Sequence, residues 1–381
     1  MSAFAIYRLP HADHCIRVEQ TDGEPAELLS CTDLNGKSGF VVAPFEVTPD
    51  QPILLIRPEK VERLKLKDES LGFRGDGLEF RVDGLGFRVD GLKFRVDGLG
   101  FRVDGLKFRD EGLGIKFNTY SIDFANYHSQ LLAGTFSKIV LARCVDEETP
   151  QPIDPMQLFH SACLLYPRMF ISLVYTEKSG YWLTATPEIL LESDNDHWRT
   201  IALAGTMRLT GDQLVGEGET VTWPTKDIQE QRIVTTYIAE CLEQFTGDFH
   251  EEGPRTVRAA NLVHLRSDFT FTLPDSQHLG DLLHALHPTP AVCGLPKRET
   301  FNFIVQNEHT PRRYYSGFMG PLDPEEGTHL YVSLRCMNIE GNRYHLYAGG
   351  GLLKDSTMEQ EWQETEAKLE TMRQCIAIKK T

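Results

Sequence analysis

The chain has 381 residues, of which 41% are hydrophobic and 25% charged, a composition that allows a large core and excludes wholesale disorder. The formal net charge of -16 at pH 7 argues against a nucleic-acid partner, because a polyanion requires clustered Lys and Arg. No run of about 18 apolar residues is present, so no membrane partner is expected.

The N-terminus and the cysteines indicate a cellular compartment. The first ten residues lack the basic segment followed by an apolar run that is typical of a signal peptide. The eight cysteines are spread along the chain without a C-x-x-C pair, which favours reduced thiols over a disulfide framework or a zinc site. These features predict a cytoplasmic protein, and we expect it to be a monomer.

Residues 71–117 repeat every seven positions, as LGFRGDG, LEFRVDG, LGFRVDG, LKFRVDG, LGFRVDG, LKFRDEG and LGIKF. A glycine in each of the first six units excludes a coiled coil despite the heptad period. Apolar residues alternate with polar or small ones, and Asp-Gly is the preferred hairpin dipeptide. The repeat predicts an inserted β-meander with two-residue turns, in which Val82 lies opposite Leu85. The alternative is a partly disordered surface insertion, and neither interpretation gives the segment a chemical role.

Outside the repeat, the sequence predicts mixed α and β structure in a single domain, residues 1–381, with residues 71–117 as an insertion. Apolar or alternating runs at residues 139–141, 169–175, 330–334 and 344–347 indicate strands. Residues 226–245 carry apolar side chains at three- and four-residue spacing, which indicates a helix. A second helix is predicted from a capping box of Ser356 and Glu359 to about Ile376.

The C-terminal helix carries the first candidate functional residues. Glu361, Glu364 and Lys368 share one face because they lie at i, i+3 and i+7. A solvated charged face explains such a pattern in most helices. Here the preceding Ala-Gly-Gly-Gly segment, residues 348–351, favours a site, since it follows a strand and allows close approach of a ligand to the backbone.

A second candidate is Arg335, which stands in the apolar segment of residues 331–336. Its side chain either faces solvent from a one-sided sheet or points inward, where it would require a partner. In the second case it is a bidentate anchor for a carboxylate.

Ten segments occur in the order seen in the chorismate-utilising enzymes, and the chain resembles that family over roughly residues 123–372. They are FSKIVLAR (136–143), TATPEILL (184–191), LAGTMR (203–208), TKDIQEQ (225–231), NLVHL (261–265), HPTPAVCGLP (287–296), RYYSGFMG (313–320), LRC (334–336), YAGGGL (347–352) and EQEWQETEAK (359–368). The resemblance implies an α+β fold with two large antiparallel β-sheets packed together and flanking helices. It also implies chorismate, a dianion, as the substrate and Mg2+ as the cofactor.

The family's functional positions transfer onto individual residues of this chain. Lys138 matches the general base of members that add water, and Glu188 matches the general acid. Glu230 and Glu364 match the Mg2+ carboxylates, with Glu361 reaching the ion through water. Positions that hold or border the substrate match Gly205, Thr206, His264, Ala291, Tyr315, Arg335, Gly349, Gly350, Gly351 and Lys368. For His264, the alternative is a hydrogen-bonded structural role.

Three features distinguish the branches of the family. Replacing the C4 hydroxyl of chorismate by water at C2 needs a base and an acid, and Lys138 disfavours the ammonia-using anthranilate branch, which lacks this lysine. Ala291 and the EQEWQE stretch match isochorismate synthases, most closely the menaquinone type. The resemblance therefore predicts an isochorismate synthase, an isomerase, whose product would enter menaquinone or siderophore synthesis. Salicylate synthase and an inactive chorismate-binding paralogue are the alternatives.

Overall fold

The computed structural model describes residues 2–66, 95–96, 101–102, 110–194, 197–208, 222–259, 262–273, 276–323 and 327–377. In this part of the chain the strands are β1 (Ala3–Arg8), β2 (His14–Gln20), β3 (Ala26–Leu28), β4 (Gly39–Ala43), β5 (Ile53–Ile56), β6 (Lys60–Lys65), β7 (Arg95–Val96), β8 (Phe101–Arg102), β9 (Lys138–Glu148), β10 (Phe170–Thr176), β11 (Gly180–Thr186), β12 (Ile189–Asp194), β13 (His197–Arg208), β14 (Phe249–Ala259), β15 (Leu262–Phe271), β16 (Gly294–Leu295), β17 (Phe318–Leu322), β18 (His329–Val332), β19 (Cys336–Glu340) and β20 (Arg343–Leu352). The helices are α1 (Asp110–Leu132), α2 (Pro155–Leu165), α3 (Thr225–Leu242), α4 (Leu279–Leu286), α5 (Lys297–Asn307) and α6 (Met358–Ala377).

Two large antiparallel sheets organise the described residues. The first sheet has the order β16-β9-β20-β19-β11-β10-β1-β2-β6, and the second has the order β14-β15-β13-β12-β18-β17-β4-β5-β3. Helices α2 and α6 cover the outer face of the first sheet, while α3 and α4 cover the second. The predicted α+β architecture is confirmed. No helix in the described ranges is long and apolar enough to cross a membrane.

A shared apolar core holds the two sheets together. Its members come from strands of both sheets, and the ring of Phe170 on β10 stacks on that of Tyr331 on β18 at 4.3 Å between centroids. Such a stacked pair adds about 0.5–1.5 kcal/mol to the free energy of burying both rings. Phe170→Ala would open a cavity in this interface, which typically costs about 3–5 kcal/mol of the free energy of unfolding.

The predicted long elements are present, with corrections at their ends. Strands β9 and β20 contain two of the four predicted runs, while β10 covers residues 170–175 of the third and β18 covers residues 330–332 of the fourth. The two predicted helices are α3 and α6. The prediction of a capping box formed by Ser356 and Glu359 is wrong. Ser356 Oγ instead accepts a hydrogen bond from Leu353 N–H at 3.0 Å, and Glu361 N–H donates to Thr357 O. Ser356 therefore closes the turn before α6, and the helix begins at Met358.

Arg335 does not lie in a strand, contrary to the prediction. Strand β18 ends at Val332 in the second sheet, and β19 begins at Cys336 in the first. Arg335 thus stands where the chain crosses between the sheets, with a φ of 46°. This left-handed conformation is uncommon for a non-glycine residue and changes the direction of the chain between two buried strands.

Most of the predicted insertion lies outside the described residues. Its described part contains β7 and β8, in which Val96 lies opposite Phe101. Two-residue turns would have placed Val96 opposite Leu99, so this pairing leaves four residues between the strands. Helix α1 begins at Asp110, so residues 110–117 are helical and not part of a meander.

Candidate active site

A cleft that is open to solvent lies where both sheets meet α3 and α6. Eleven of the fifteen predicted site residues line it: Glu188, Gly205, Thr206, Glu230, His264, Ala291, Tyr315, Arg335, Gly349, Gly351 and Lys368. The remaining four, Lys138, Gly350, Glu361 and Glu364, lie just behind this lining, where they contact it or one another. The structure therefore brings together residues from separate sequence motifs that lie far apart along the chain.

The glycines of β20 allow carboxylates to approach the sheet. A Cβ built on Gly351 would lie 2.2 Å from Glu230 Oε1, and one on Gly350 would lie 2.9 Å from Glu361 Oε2. Any side chain at these positions would displace the two carboxylates. The predicted close approach is thus made by the protein's own acidic groups.

Each predicted Mg2+ carboxylate is paired with a lysine. The pairs are Glu230 with Lys138 at 2.8 Å, Glu364 with Lys368 at 2.7 Å, and Glu361 with Lys226 in direct contact. Lys138 is fully buried, and its contact with Glu230 has the geometry of an ion pair and not of an aligned hydrogen bond. Burial opposes ionisation of Glu230, but Lys138 and then Lys226 outweigh it and hold its pKa below the ordinary value.

Negative charge nevertheless accumulates beside these pairs. Burial and the charge of Glu364 raise the pKa of Glu361 to about 7. Burial and the charges of Glu230 and Glu364 raise the pKa of Asp227 to about 6. Groups that repel each other in this way are stabilised by an added cation.

The acidic group fits a hard divalent cation in its chemistry. All its donors are carboxylate oxygens, which Mg2+ prefers, and Glu361 Oε2 is buried without a hydrogen-bond partner. The oxygens of Glu230, Glu361 and Glu364 are not gathered within 4.8 Å of one another in the described structure. A shared ion therefore requires some of the lysine pairs to open.

Glu188 lies in the short link between β11 and β12, where its backbone N–H donates to Thr186 Oγ1 at 3.2 Å. Its side chain is buried, and burial raises its pKa to about 7 against the opposing effects of Lys138, Lys368 and Arg335. A carboxyl group with this pKa holds a proton near neutral pH and can donate it into the cleft.

Arg335 forms a cationic wall of the cleft, and His264 supports it. His264 Nδ1 lies 3.0 Å from Gly205 O, which assigns the ring proton to Nδ1 and leaves Nε2 to accept from Arg335 Nη2 at 2.6 Å. Burial, followed by the charges of Arg335 and Lys368, lowers the pKa of His264 well below its ordinary value, so the ring is neutral. Arg335 Nη1 is buried without a partner, and burial lowers the pKa of this guanidinium to about 10. An anionic ligand would satisfy it.

Sequence reasoning missed two residues in the first turn of α3. Lys226 pairs with Glu361, and Asp227 Oδ1 accepts from Thr206 N–H at 3.3 Å. Gly205 has a φ of 68°, and a Cβ added there would meet the Asp227 side chain at 2.9 Å. Both residues precede Glu230 by about one helical turn, a spacing that could have identified them.

A buried ion pair shapes the opposite wall. Arg312 is bonded to Glu308, and its guanidinium also donates to Val292 O and Val140 O, both at 2.7 Å. Val140 and Val292 line the cleft. Through these bonds, Arg312 holds the segment that contains Ala291 against β9.

The chain is similar to known proteins of one enzyme family. Residues 114–377 match the family described as chorismate binding enzyme. The isochorismate synthase EntC of Escherichia coli K12 is 30% identical over 238 residues, which are 62% of this chain and 61% of EntC. The isochorismate synthase DhbC of Bacillus subtilis is 30% identical over 270 residues, which are 67% of this chain and 68% of DhbC.

The fold is also similar to a solved structure. MenF, the menaquinone-specific isochorismate synthase of Escherichia coli, superimposes with a TM-score of 0.75 over 99% of this chain and 89% of MenF, at 21% sequence identity. At this identity the likeness concerns the fold alone. The chain matches 61% of the length of EntC, so the activity of such relatives is a hypothesis for this protein.

Proposed function

The chain belongs to the chorismate-binding enzyme family, and we propose that it is an isochorismate synthase. The reaction adds water at C2 of chorismate with loss of the C4 hydroxyl. The observation that carries the proposal is Glu188, a buried carboxyl in the cleft whose pKa is raised to about 7. A proton donor is what departure of a hydroxyl requires.

Substrate binding is assigned to the cationic wall. Arg335 offers an unpartnered buried Nη1, and Lys368 reaches the cleft from α6 while its Nζ donates to Gly349 O at 2.8 Å. A dianion would be held between these two charges, with Tyr315 stacked on Tyr347 beside it at 5.6 Å between centroids. Neutral His264 orients Arg335 and adds no charge of its own.

The acid acts on the leaving hydroxyl, and the base acts on the incoming water. Glu188 gives its proton to the leaving C4 oxygen, and Lys138 takes the proton of the incoming water. Lys138 can do so only in its neutral form, so it must first lose its proton and its ion pair with Glu230. Ala291 in the cleft matches the isochorismate-synthase type and not the amine-adding branches, which supports water as the nucleophile.

The cofactor proposed is Mg2+. Glu230 and Glu364 would hold the ion, with Glu361 acting through water, and Asp227 lies close enough to add to the negative field. When bound, the ion supplies positive charge that stabilises a carboxylate and the electrons shifting through the conjugated ring. The cytoplasmic location and monomeric state expected from the sequence stay predictions.

One experiment tests the function. Purified protein is incubated with chorismate and Mg2+, and the products are separated by chromatography. Isochorismate is expected. Salicylate with pyruvate would assign the chain to the salicylate branch, and binding of chorismate without turnover would make it an inactive paralogue.

A further inference from the structure

A second group of metal-binding side chains lies on the first sheet, outside the cleft lining. Cys144 and Asp146 are on β9, and His345 is on β20. The ladder places His345 directly opposite Asp146 and Tyr347 directly opposite Cys144. Side chains two positions apart on a strand share a face, so all three groups point to the same side.

The ligand atoms of these three residues converge. They all lie within 4.8 Å of one another, and no other set of three His, Cys, Asp or Glu side chains in the described ranges does so. The scaffold is a hydrogen-bonded antiparallel pair, which holds ligands more rigidly than a loop.

Each residue supplies a different type of ligand. Cys144 is the one cysteine of the eight that is not buried. His345 Nδ1 lies 2.7 Å from Asp146 Oδ1, and its Nε2 lies 3.5 Å from Glu340 Oε2. A thiolate, an imidazole and a carboxylate together suit Zn2+ and similar borderline cations, whereas Mg2+ prefers oxygen ligands only.

An ordinary surface ion pair is the simpler interpretation of His345 with Asp146. The chain contains comparable exposed pairs, His14 with Asp13 and His278 with Asp281, each at 3.0 Å. Neither belongs to a convergent set of three ligands among the residues that the structure describes. Cys144 is the feature that distinguishes the pair on β9 and β20, and these other pairs serve as controls.

We propose that Cys144, Asp146 and His345 bind a transition-metal cation of the Zn2+ class. Binding replaces the thiol proton of Cys144, which is released to solvent, so affinity should increase with pH. The site is chemically distinct from the all-oxygen group around Glu230 and does not depend on the proposed function.

The test is a titration of chelator-stripped, reduced full-length protein with Co2+, in excess Mg2+ to occupy oxygen-only sites. A sulfur-to-Co2+ charge-transfer band with one-to-one stoichiometry is expected, and Zn2+ should abolish it by competition. Cys144→Ser should remove the band. His345→Ala should weaken binding at least about 10-fold, and His14→Ala should bind like the natural protein.

Two results would overturn the proposal. The first is the absence of the charge-transfer band in the natural protein. The second is unchanged binding in Cys144→Ser and His345→Ala, which would place the ion elsewhere. Thermal melting of each variant without metal controls for folding, and Asp146→Asn provides a third, isosteric probe if either first variant melts early.

Discussion

Lys138 Nζ lies 2.8 Å from Glu230 Oε1, so the proposed base and a proposed Mg2+ ligand form one buried ion pair. Lys138 is fully buried, and the glutamate is the partner that makes this burial tolerable. Removal of either side chain leaves an uncompensated charge, which typically costs about 3–5 kcal/mol. Variants at both positions therefore need a folding control before activity is interpreted.

The first prediction concerns Glu188. Glu188→Gln keeps the shape of the side chain but removes the proton donor, and kcat/KM should fall about 10²–10⁴-fold. The measurement is product formation, with chorismate binding by calorimetry as the control. Near-normal turnover would exclude Glu188 as the acid. Glu192→Gln is the matched control. The carboxylate of Glu192 pairs with Arg199, His329 and Tyr331 and does not line the cleft, so its loss should not affect the proton donor.

The pH dependence follows from the same group. Glu188 must be protonated to act, and burial raises its pKa to about 7. The kcat/KM should therefore have an alkaline limb, since the fraction of protonated Glu188 declines as pH rises, and an acidic limb, because Lys138 must be without its proton to act. This alkaline limb should be missing from the residual activity of Glu188→Gln. A limb that persists in the variant would belong to another group.

Lys138→Met should remove the base and lower kcat about 10²–10⁴-fold. Methionine fills the space of the lysine stem without a charge, and thermal melting of the variant controls for the carboxylate of Glu230 that is left unpaired. The losses in Lys138→Met and Glu188→Gln should not multiply, because acid and base act in one event. A double variant with the product of both losses would contradict a concerted mechanism.

Chelation tests the acidic group. EDTA should abolish turnover, and excess Mg2+ should restore it. Glu364→Gln should weaken Mg2+ activation, measured as the Mg2+ concentration needed for half-maximal rate. Glu370→Gln on the same helix is the control, since Glu370 bonds Arg373 instead. Full activity in EDTA would show that Mg2+ is not needed.

Arg335→Lys should lose the planar donor that faces the cleft. Hydrogen bonds to charged groups contribute about 1.5–3 kcal/mol, so kcat/KM should fall about 10–100-fold. The effect should appear in KM as well as kcat, because the guanidinium is assigned to binding. Arg298→Lys, at a side chain 85% exposed, is the control. An unchanged KM for chorismate would show that Arg335 does not bind the anionic substrate.

The repeat insertion should be dispensable for catalysis. No described residue that lines the cleft lies between positions 71 and 109, so replacing that segment with a Gly/Ser linker should preserve kcat/KM. Tyr120→Ala in α1 should instead lower the melting temperature, because Tyr120 is buried and packs on Trp362. Loss of activity in a folded linker variant would show that the segment shapes the site.

The sequence by itself determined the long strands and helices, and it led to a proposal for the residues of the site. Period-two and period-3.6 patterns are local, so β9, β20, α3 and α6 could be predicted from them. The ordered motifs, read as a family resemblance, also predicted the fifteen site residues, eleven of which line one cleft. The turn before α6 could not be predicted, since a hydrogen bond from Leu353 competes with the capping box for Ser356.

Only the tertiary structure decided which of these groups contact each other. Lys138 meets Glu230 because α3 packs across the end of the cleft, and no local pattern encodes that pairing. Arg335 reaches the cleft because the chain changes sheets there, although the sequence around it resembles a continuous strand. Cys144 joins His345 through the register of β9 and β20, which is set by long-range packing of both strands.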